Sequence, residues 1–265
     1  MLIFLFAAVA SATSAPLPAD VSPPSSQWQV DYGDSRCLAV RSYATPNGDV
    51  AIAFIPAPTF GATQISMVRK GGSSRPLQQD VTLEGPGGAV KSTLIDYPST
   101  KGHSMVSRVT LTPAEYKMLA ANGTLRIRFG GFDRRFALSN VPAVTQELDK
   151  CVADLDEMWQ RPDQQRRIKT PAKSVMPLAH YFSSNDYPGQ ALQEHNTGQV
   201  GVRLMVDEAG VLKNCLTTNT SGSAILDAMT CVVLQERAKF HPALDVDGKP
   251  VKSVADQSVV WRIAP

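Results

Sequence analysis

Between Trp28 and about Asn140 the apolar residues fall in short runs at a period of two, and this limits the chain more than any other feature. Cys37, Ala39, Arg41 and Tyr43 alternate with Leu38, Val40 and Ser42, so one set faces a core and the other faces away. Residues 51–55 form a compact apolar strand. Residues 64–69, 80–83, 89–95, 105–111, 125–129 and 134–138 read as further strands. Turns between them carry Pro46-Asn47-Gly48, Gly71-Gly72 and Gly85-Pro86-Gly87-Gly88. Short strands at this spacing predict a sandwich or a small barrel. Two helices break the pattern. Thr112-Pro113-Ala114-Glu115 is a capping box with proline at the first helical position, closed by Asn122-Gly123. After the last strand, Val141, Val144, Leu148, Cys151, Leu155 and Trp159 recur at three- and four-residue steps, which predicts a helix with one apolar face.

Composition permits such a fold and narrows the function. Apolar residues make up 43% of the 265 and charged residues 19%, enough apolar side chain for a real core. A net charge of +2 supplies no concentrated basic face, so no nucleic-acid partner is expected. Residues 2–10 (LIFLFAAVA) are apolar and lead through Ala12, Thr13, Ser14 and Ala15 to Pro16. Residues 1–15 therefore read as a signal peptide, cleaved near Ala15, with a periplasmic destination. The run is shorter than the roughly 20 apolar residues that a membrane-spanning helix needs. No Lys or Arg precedes it, so a start further upstream would make it a membrane anchor instead.

The remaining boundaries follow from composition. Residues 16–27 are rich in proline and serine and read as a flexible segment, residues 28–159 as the β-rich domain with its terminal helix, and residues 160–179 as a linker. In the linker Arg161, Arg166, Arg167, Lys169 and Lys173 fit a solvated spacer, with an acidic partner or a membrane surface as the alternative. Four cysteines, Cys37, Cys151, Cys215 and Cys231, suit an exported protein with two disulfides and allow three pairings. None sits in a C-x-x-C and no histidine lies at ligand spacing, so neither a metal nor another cofactor is called for. Cys151 lies on the apolar face of the helix and can staple it to the early strand that bears Cys37.

From Tyr181 the pattern tightens. Tyr187-Pro188 opens a short helix. Residues 198–207 alternate at period two, Glu208-Ala209-Gly210 turns the chain, and residues 211–218 return it as a hairpin. Ser221-Gly222-Ser223 starts a helix over residues 224–239, Asp247-Gly248-Lys249 makes a turn, and residues 251–263 supply a last strand. The string Tyr-Pro…Ala, Gly-x-Val-x-Val-x-Leu-x-Val-Asp-x-x-Gly, Ser-Gly-x-x-x-Leu-Asp, Arg-x-x-Phe-x-Pro-Ala, Asp-Gly-Lys-Pro-Val resembles the TonB C-terminal domain over about residues 180–264. Each piece is weak alone, and their order and spacing together are specific.

The resemblance implies a small αββαβ module with a three-stranded antiparallel sheet, which, after the mostly-β N-terminal domain read from the strand pattern, makes the chain α+β. In the family that module binds a short peptide of outer-membrane receptors by strand addition, because an edge strand offers unpaired N–H and C=O groups. Carried over, Asp186, Tyr187 and Pro188 match the family's Gln-Tyr-Pro segment, with a carboxylate in place of the amide. Ser258, Val259, Val260, Trp261 and Arg262 supply the candidate edge. Tyr187-Pro188 reads equally well as a helix start packed on the hairpin. Cys215 on the second strand and Cys231 on the long helix are placed for the second disulfide.

Three readings of function follow. The first is a periplasmic TonB-like binding protein that engages an outer-membrane receptor or other envelope protein through an extended peptide segment, as in TonB-dependent transport. A full transducer has an inner-membrane helix and a long proline-rich spacer, whereas here a folded β domain fills the spacer position, so binding is implied more directly than energy transduction. The second is a structural or stress-related envelope protein whose β domain binds the partner, the TonB-like part serving packing or a homodimer. The third, catalysis, finds no G-x-S-x-G, H-E-x-x-H, P-loop or G-x-G-x-x-G. His103 and Ser104 are neighbours on a strand and point to opposite faces. Asp154, Asp156 and Glu157 read as a solvated helix face, and His241, before Pro242, as a helix stop.

Overall fold

The computed structural model describes residues 17–57, 62–71, 75–99, 104–160 and 162–263. The apolar leader, Gly72, His103 and Arg161 lie outside the described residues. The first ten strands are β1 (Val21–Ser22), β2 (Gln29–Tyr32), β3 (Cys37–Tyr43), β4 (Val50–Pro56), β5 (Thr63–Lys70), β6 (Leu77–Gly85), β7 (Gly88–Pro98), β8 (Ser104–Leu111), β9 (Gly123–Phe129) and β10 (Phe132–Leu138). They form one sheet in the order β1-β10-β9-β6-β7-β8-β5-β4-β3-β2. All pairings are antiparallel except β1 with β10, which is parallel. The sheet curls until its ends meet. Two residues beyond β1, Pro24 bridges Tyr43 of β3, with Ser25 N–H donating to the Ser42 carbonyl at 2.8 Å and Ala44 N–H to the Pro23 carbonyl at 3.1 Å. Of the two predicted architectures the chain adopts the small barrel.

Alternation sets which side faces in. Cys37, Ala39, Arg41 and Tyr43 are all buried, as the period of two requires. Arg41 is a charge inside an apolar row, and two of its nitrogens are bonded: Nε donates to the Ser26 carbonyl at 2.9 Å and Nη1 to Ser139 Oγ at 2.8 Å. Its guanidinium also lies 5.7 Å from the Trp28 ring, while Trp28 Nε1 donates to the Ser139 carbonyl at 2.9 Å. One cation therefore ties the entering segment to the end of the last strand, across the seam where the barrel closes.

The two predicted helices are α1 (Pro113–Leu119) and α2 (Val141–Gln160). Thr112 caps α1 through the expected box, accepting from Glu115 N–H while Glu115 accepts from Thr112 N–H. The glycines of the β6–β7 turn let α1 approach: a Cβ on Gly85 would stand 2.6 Å from Leu119 Cα, and Gly87 N–H donates to the Met118 carbonyl at 2.9 Å. In α2 the six residues of the apolar stripe are the buried ones. They pack into the barrel core beside β2 and β3, and Cys37–Cys151 joins helix to strand.

Residues 160–179, expected as a solvated spacer, instead contain α3 (Pro162–Arg167), β11 (Ile168–Thr170) and β12 (Lys173–Ser174). Short backbone pairing needs no apolar period, so the sequence pattern does not reveal it. The C-terminal unit continues with α4 (Gly189–Gln193), β13 (Gly198–Val206), β14 (Leu212–Asn219), α5 (Ala224–Arg237), β15 (Phe240–His241), β16 (Ala243–Asp245), β17 (Pro250–Val251) and β18 (Ser253–Trp261). β11 pairs with β16 and β12 with β15. The helix α5 stops at Arg237, two residues before Lys239, and His241 sits in a strand opposite Lys173. The hairpin turn is fixed by Asp207, whose Oδ1 accepts from Ala209 N–H at 3.0 Å and Val211 N–H at 2.8 Å. Gly210 is left-handed there (φ +75°), and a Cβ would fall 2.1 Å from the Phe240 carbonyl oxygen.

The main C-terminal sheet has the order β14-β13-β18, with α5 across its inner face and Cys215–Cys231 stapling β14 to α5. The barrel grips this unit on both sides. Met205 of β13 is buried in the barrel core and Val254 of β18 packs against it. Lys252 Nζ lies 5.4 Å from the Trp159 ring at the end of α2. Asn214 Nδ2 donates to the Ser35 carbonyl at 2.8 Å, and Ser35 Oγ to the Lys213 carbonyl at 3.1 Å. On the helix side, Ile95 is buried in the C-terminal core with Tyr97 packed against it, and Gln78 Oε1 accepts from Ile225 N–H at 3.0 Å.

The Cys37–Cys151 bridge spans 114 residues of sequence. Replacing both cysteines by serine is expected to remove about 4–5 kcal/mol in the chain-entropy picture. Urea unfolding followed by tryptophan fluorescence measures it, and a loss below about 1 kcal/mol would mean that α2 is held by packing alone.

Candidate functional site

The segment before α4 is built around one carboxylate. Ser183 N–H and Oγ both donate to Asp186 Oδ2, at 2.7 and 2.8 Å. Arg237, in the last turn of α5, completes the set: Nη1 donates to Oδ2 at 2.6 Å and Nη2 to Oδ1 at 2.7 Å, while Nη1 also reaches the Tyr181 carbonyl at 3.1 Å. This is the bidentate geometry a planar guanidinium favours. The Asp186 side chain is only 9% exposed, and Arg237 beside it, followed by the Ser183 bonds, holds its carboxyl down at about 2. The acceptor-only chemistry of Asp186 is thus spent on the chain's own loop.

Tyr187 and Pro188 follow directly. Pro188 is buried, and Tyr187 is half-buried with its hydroxyl donating to the Asn196 carbonyl at 2.5 Å. Its ring stands edge-on to Trp261, 5.1 Å between centroids, and Phe182 meets the same indole at 5.2 Å. Trp261 Nε1 donates to Thr230 Oγ1 at 2.8 Å. Tyr187 and the end of β18 are therefore brought together through a packed aromatic cluster.

Along β18 the candidate residues divide by face. Val259 and Trp261 point into the core and are 6% and 5% exposed. Ser258 and Arg262 are exposed and Val260 is 50% exposed. Among the described residues only β13 pairs with β18, with Val260 facing Gln199 and Ser258 facing Gly201. Arg203 and Asp256, directly opposed, make a bidentate pair at 2.7 and 2.8 Å on the outer face. Nearer its start the strand is occupied by the barrel through Val254 and Lys252. Residues 256–261 are thus the stretch of edge that the barrel leaves clear among the described residues.

Sequence reasoning missed the barrel's share in this region. Tyr97 and Pro98 at the end of β7, with Arg75 and Pro76, face Tyr187, Pro188 and α5 across a cleft of about 520 Å³. One signal was present: Leu94, Ile95 and Tyr97 place apolar residues on both faces of one strand, which marks a strand covered on both sides.

A curled ten-stranded sheet thus packs against a small module whose three-stranded sheet carries β18 at one edge, bonded to β13 among the described residues. Residues 183–263, roughly the last third of the chain, match the family described as Gram-negative bacterial TonB protein C-terminal. Neither the curated proteins nor the solved structures offer a match to the chain. No helix among the described residues is long and apolar enough to cross a membrane.

The Asp186–Arg237 pair gives a pH signature. Its folded pKa lies below the ordinary carboxylate value of 3.8, so its contribution is complete above about pH 4 and is lost as pH falls toward 2. With Arg237 partly exposed, Asp186→Asn is expected to cost about 1–2 kcal/mol at pH 7 and well under half of that at pH 2, where the carboxyl is about half protonated. Urea midpoints of both proteins across that range test it, and a cost that is flat with pH would remove the ion pair from the account.

Proposed function

We propose that the protein is an envelope binding protein that takes up an extended peptide segment of an outer-membrane receptor along residues 256–261 of β18. One observation carries the reading: this stretch of β18 is bonded on one side only, to β13, and carries exposed Ser258 and Val260 beside the Tyr187–Trp261 cluster. An added strand would satisfy the free backbone groups of the edge and cover Val260. In this proposal Tyr187, Pro188 and Trp261 hold the end of the edge in place, Asp186 fixes the loop behind them, and Ser258, Val260 and Arg262 meet the partner. The leader and the periplasmic destination belong to the same proposal.

A second reading has its own observation. Met205 and Val254 bury part of the sheet's outer face in the barrel core, as a module used for packing would. Partner binding by the barrel wall is then the alternative.

A photo-crosslinking amino acid placed at Val260 in the full chain, in its native cells, separates the two. The expected product joins Val260 to the periplasmic segment of a β-barrel receptor, identified by mass spectrometry. Neighbouring proline substitutions sharpen the result. Of Gln257→Pro and Ser258→Pro, one removes an N–H that points away from β13 and leaves the fold intact, and that variant should lose at least about tenfold in crosslink yield. Crosslinks that form from the barrel wall and not from β18 would transfer the role to the barrel.

A further inference from the structure

The cleft between barrel and module combines a buried apolar floor with an unevenly charged rim. Tyr97 of β7 and Met229 and Val233 of α5 form the floor; Met229 and Val233 are buried, and burial pushes the Tyr97 hydroxyl up. Leu192, 41% exposed, and Glu236 stand on the rim contributed by the module, and Arg75 on the rim contributed by the barrel. About 520 Å³ is within the range of sites that hold small ligands or a few side chains. The two carboxylates of the module side are not equivalent. Asp186 is bidentate to Arg237, which cancels its charge toward a ligand, whereas Glu236 feels Arg237 only through its field and lies exposed one helical turn from Val232 and the floor residue Val233.

We infer that this cleft is a second subsite that takes an aliphatic side chain followed by a basic one from an extended peptide. The aliphatic group fills the space over Tyr97, Met229 and Val233, and the cation sits against Glu236. Because Tyr187 contacts Trp261 on one side and lines the cleft on the other, a chain leaving the β18 edge past Trp261 meets this subsite next. The identity of the ligand as a peptide rests on the strand-addition reading; the selectivity of the cleft does not.

The test uses the full chain, ¹⁵N-labelled, titrated by NMR with acetyl-Leu-Lys-amide, acetyl-Leu-Glu-amide and acetyl-Gly-Lys-amide. Capped dipeptides are too short to add as strands, so their binding reports the cleft alone. Expected are saturable shifts around Tyr97, Met229 and Glu236 for Leu-Lys, with both other probes at least fivefold weaker. Glu236→Gln, at an exposed position, should shrink the Leu-Lys over Leu-Glu preference at least threefold while leaving the melting temperature unchanged. Shifts confined to β18, equal binding of Leu-Lys and Leu-Glu, or a preference that survives Glu236→Gln would each overturn the inference. Retained dipeptide binding with no receptor crosslink at Val260 would sink the edge reading and leave the cleft standing; a crosslink without dipeptide binding would do the reverse.

Discussion

The contact on which the arrangement depends is the last turn of α2 against the outer face of the C-terminal sheet. Trp159, 2% exposed and fixed by its indole N–H to the Asp34 carbonyl, offers its ring to Lys252, and Met205 and Val254 fill the space beneath. A three-stranded sheet has two faces to cover and only one long helix, α5, to cover them with. The barrel supplies the missing cover over half of the second face. Gln78 does the same on the opposite side, accepting from Ile225 N–H at the start of α5 while its own N–H donates to Gln190. The module is held between two surfaces of one barrel, and this decides which part of its edge remains open.

That arrangement also explains how work is shared among the residues around Tyr187. Local bonds shape the loop: Ser183 and Asp186 close it, and Arg237 ties it to the end of α5. Aromatic edges then relay its position to Trp261 and so to β18. Asp186, one of the candidate contact residues, is bonded to Ser183 and Arg237 of its own loop and helix. Groups with plain surface chemistry, Ser258 and Val260, are those left facing outward.

Much of this was legible in the chain. Period-two alternation marked eight of the barrel strands, the stripe of α2 named its six buried residues, and the D-x-x-G turn located Gly210 where only glycine fits. The C-terminal element order and both disulfides were also within reach. What escaped the reading shares a physical cause. β1, β11 and β12 are held by backbone pairing with distant strands, and β2 is a four-residue, mostly exposed strand paired with its neighbour β3, so none of them shows a side-chain period of its own. The docking of Ile95, Tyr97 and Met205 is a long-range event, visible in sequence only as apolar residues on a face where polar ones were due. Arg41 is the sharpest case: its place in the inward row was evident, and the partners that make a buried guanidinium tolerable, Ser26 and Ser139, stand far away along the chain.

The seam of the barrel carries a kinetic consequence. It joins Val21 to Arg135 and Pro24 to Tyr43, so the circle closes only when the first strand meets the tenth, more than a hundred residues later. Contacts of that separation form late, because loop entropy must be overcome before any of them is rewarded. Until then β10, and the end of β3 beyond its pairing with β2, present open edges beside apolar rows that include Phe136 and Ile52, the kind of surface through which partly folded chains associate. The short segment around Pro24 is in this sense the clasp of the molecule, and the time spent before it fastens is the interval in which the chain is most in need of protection.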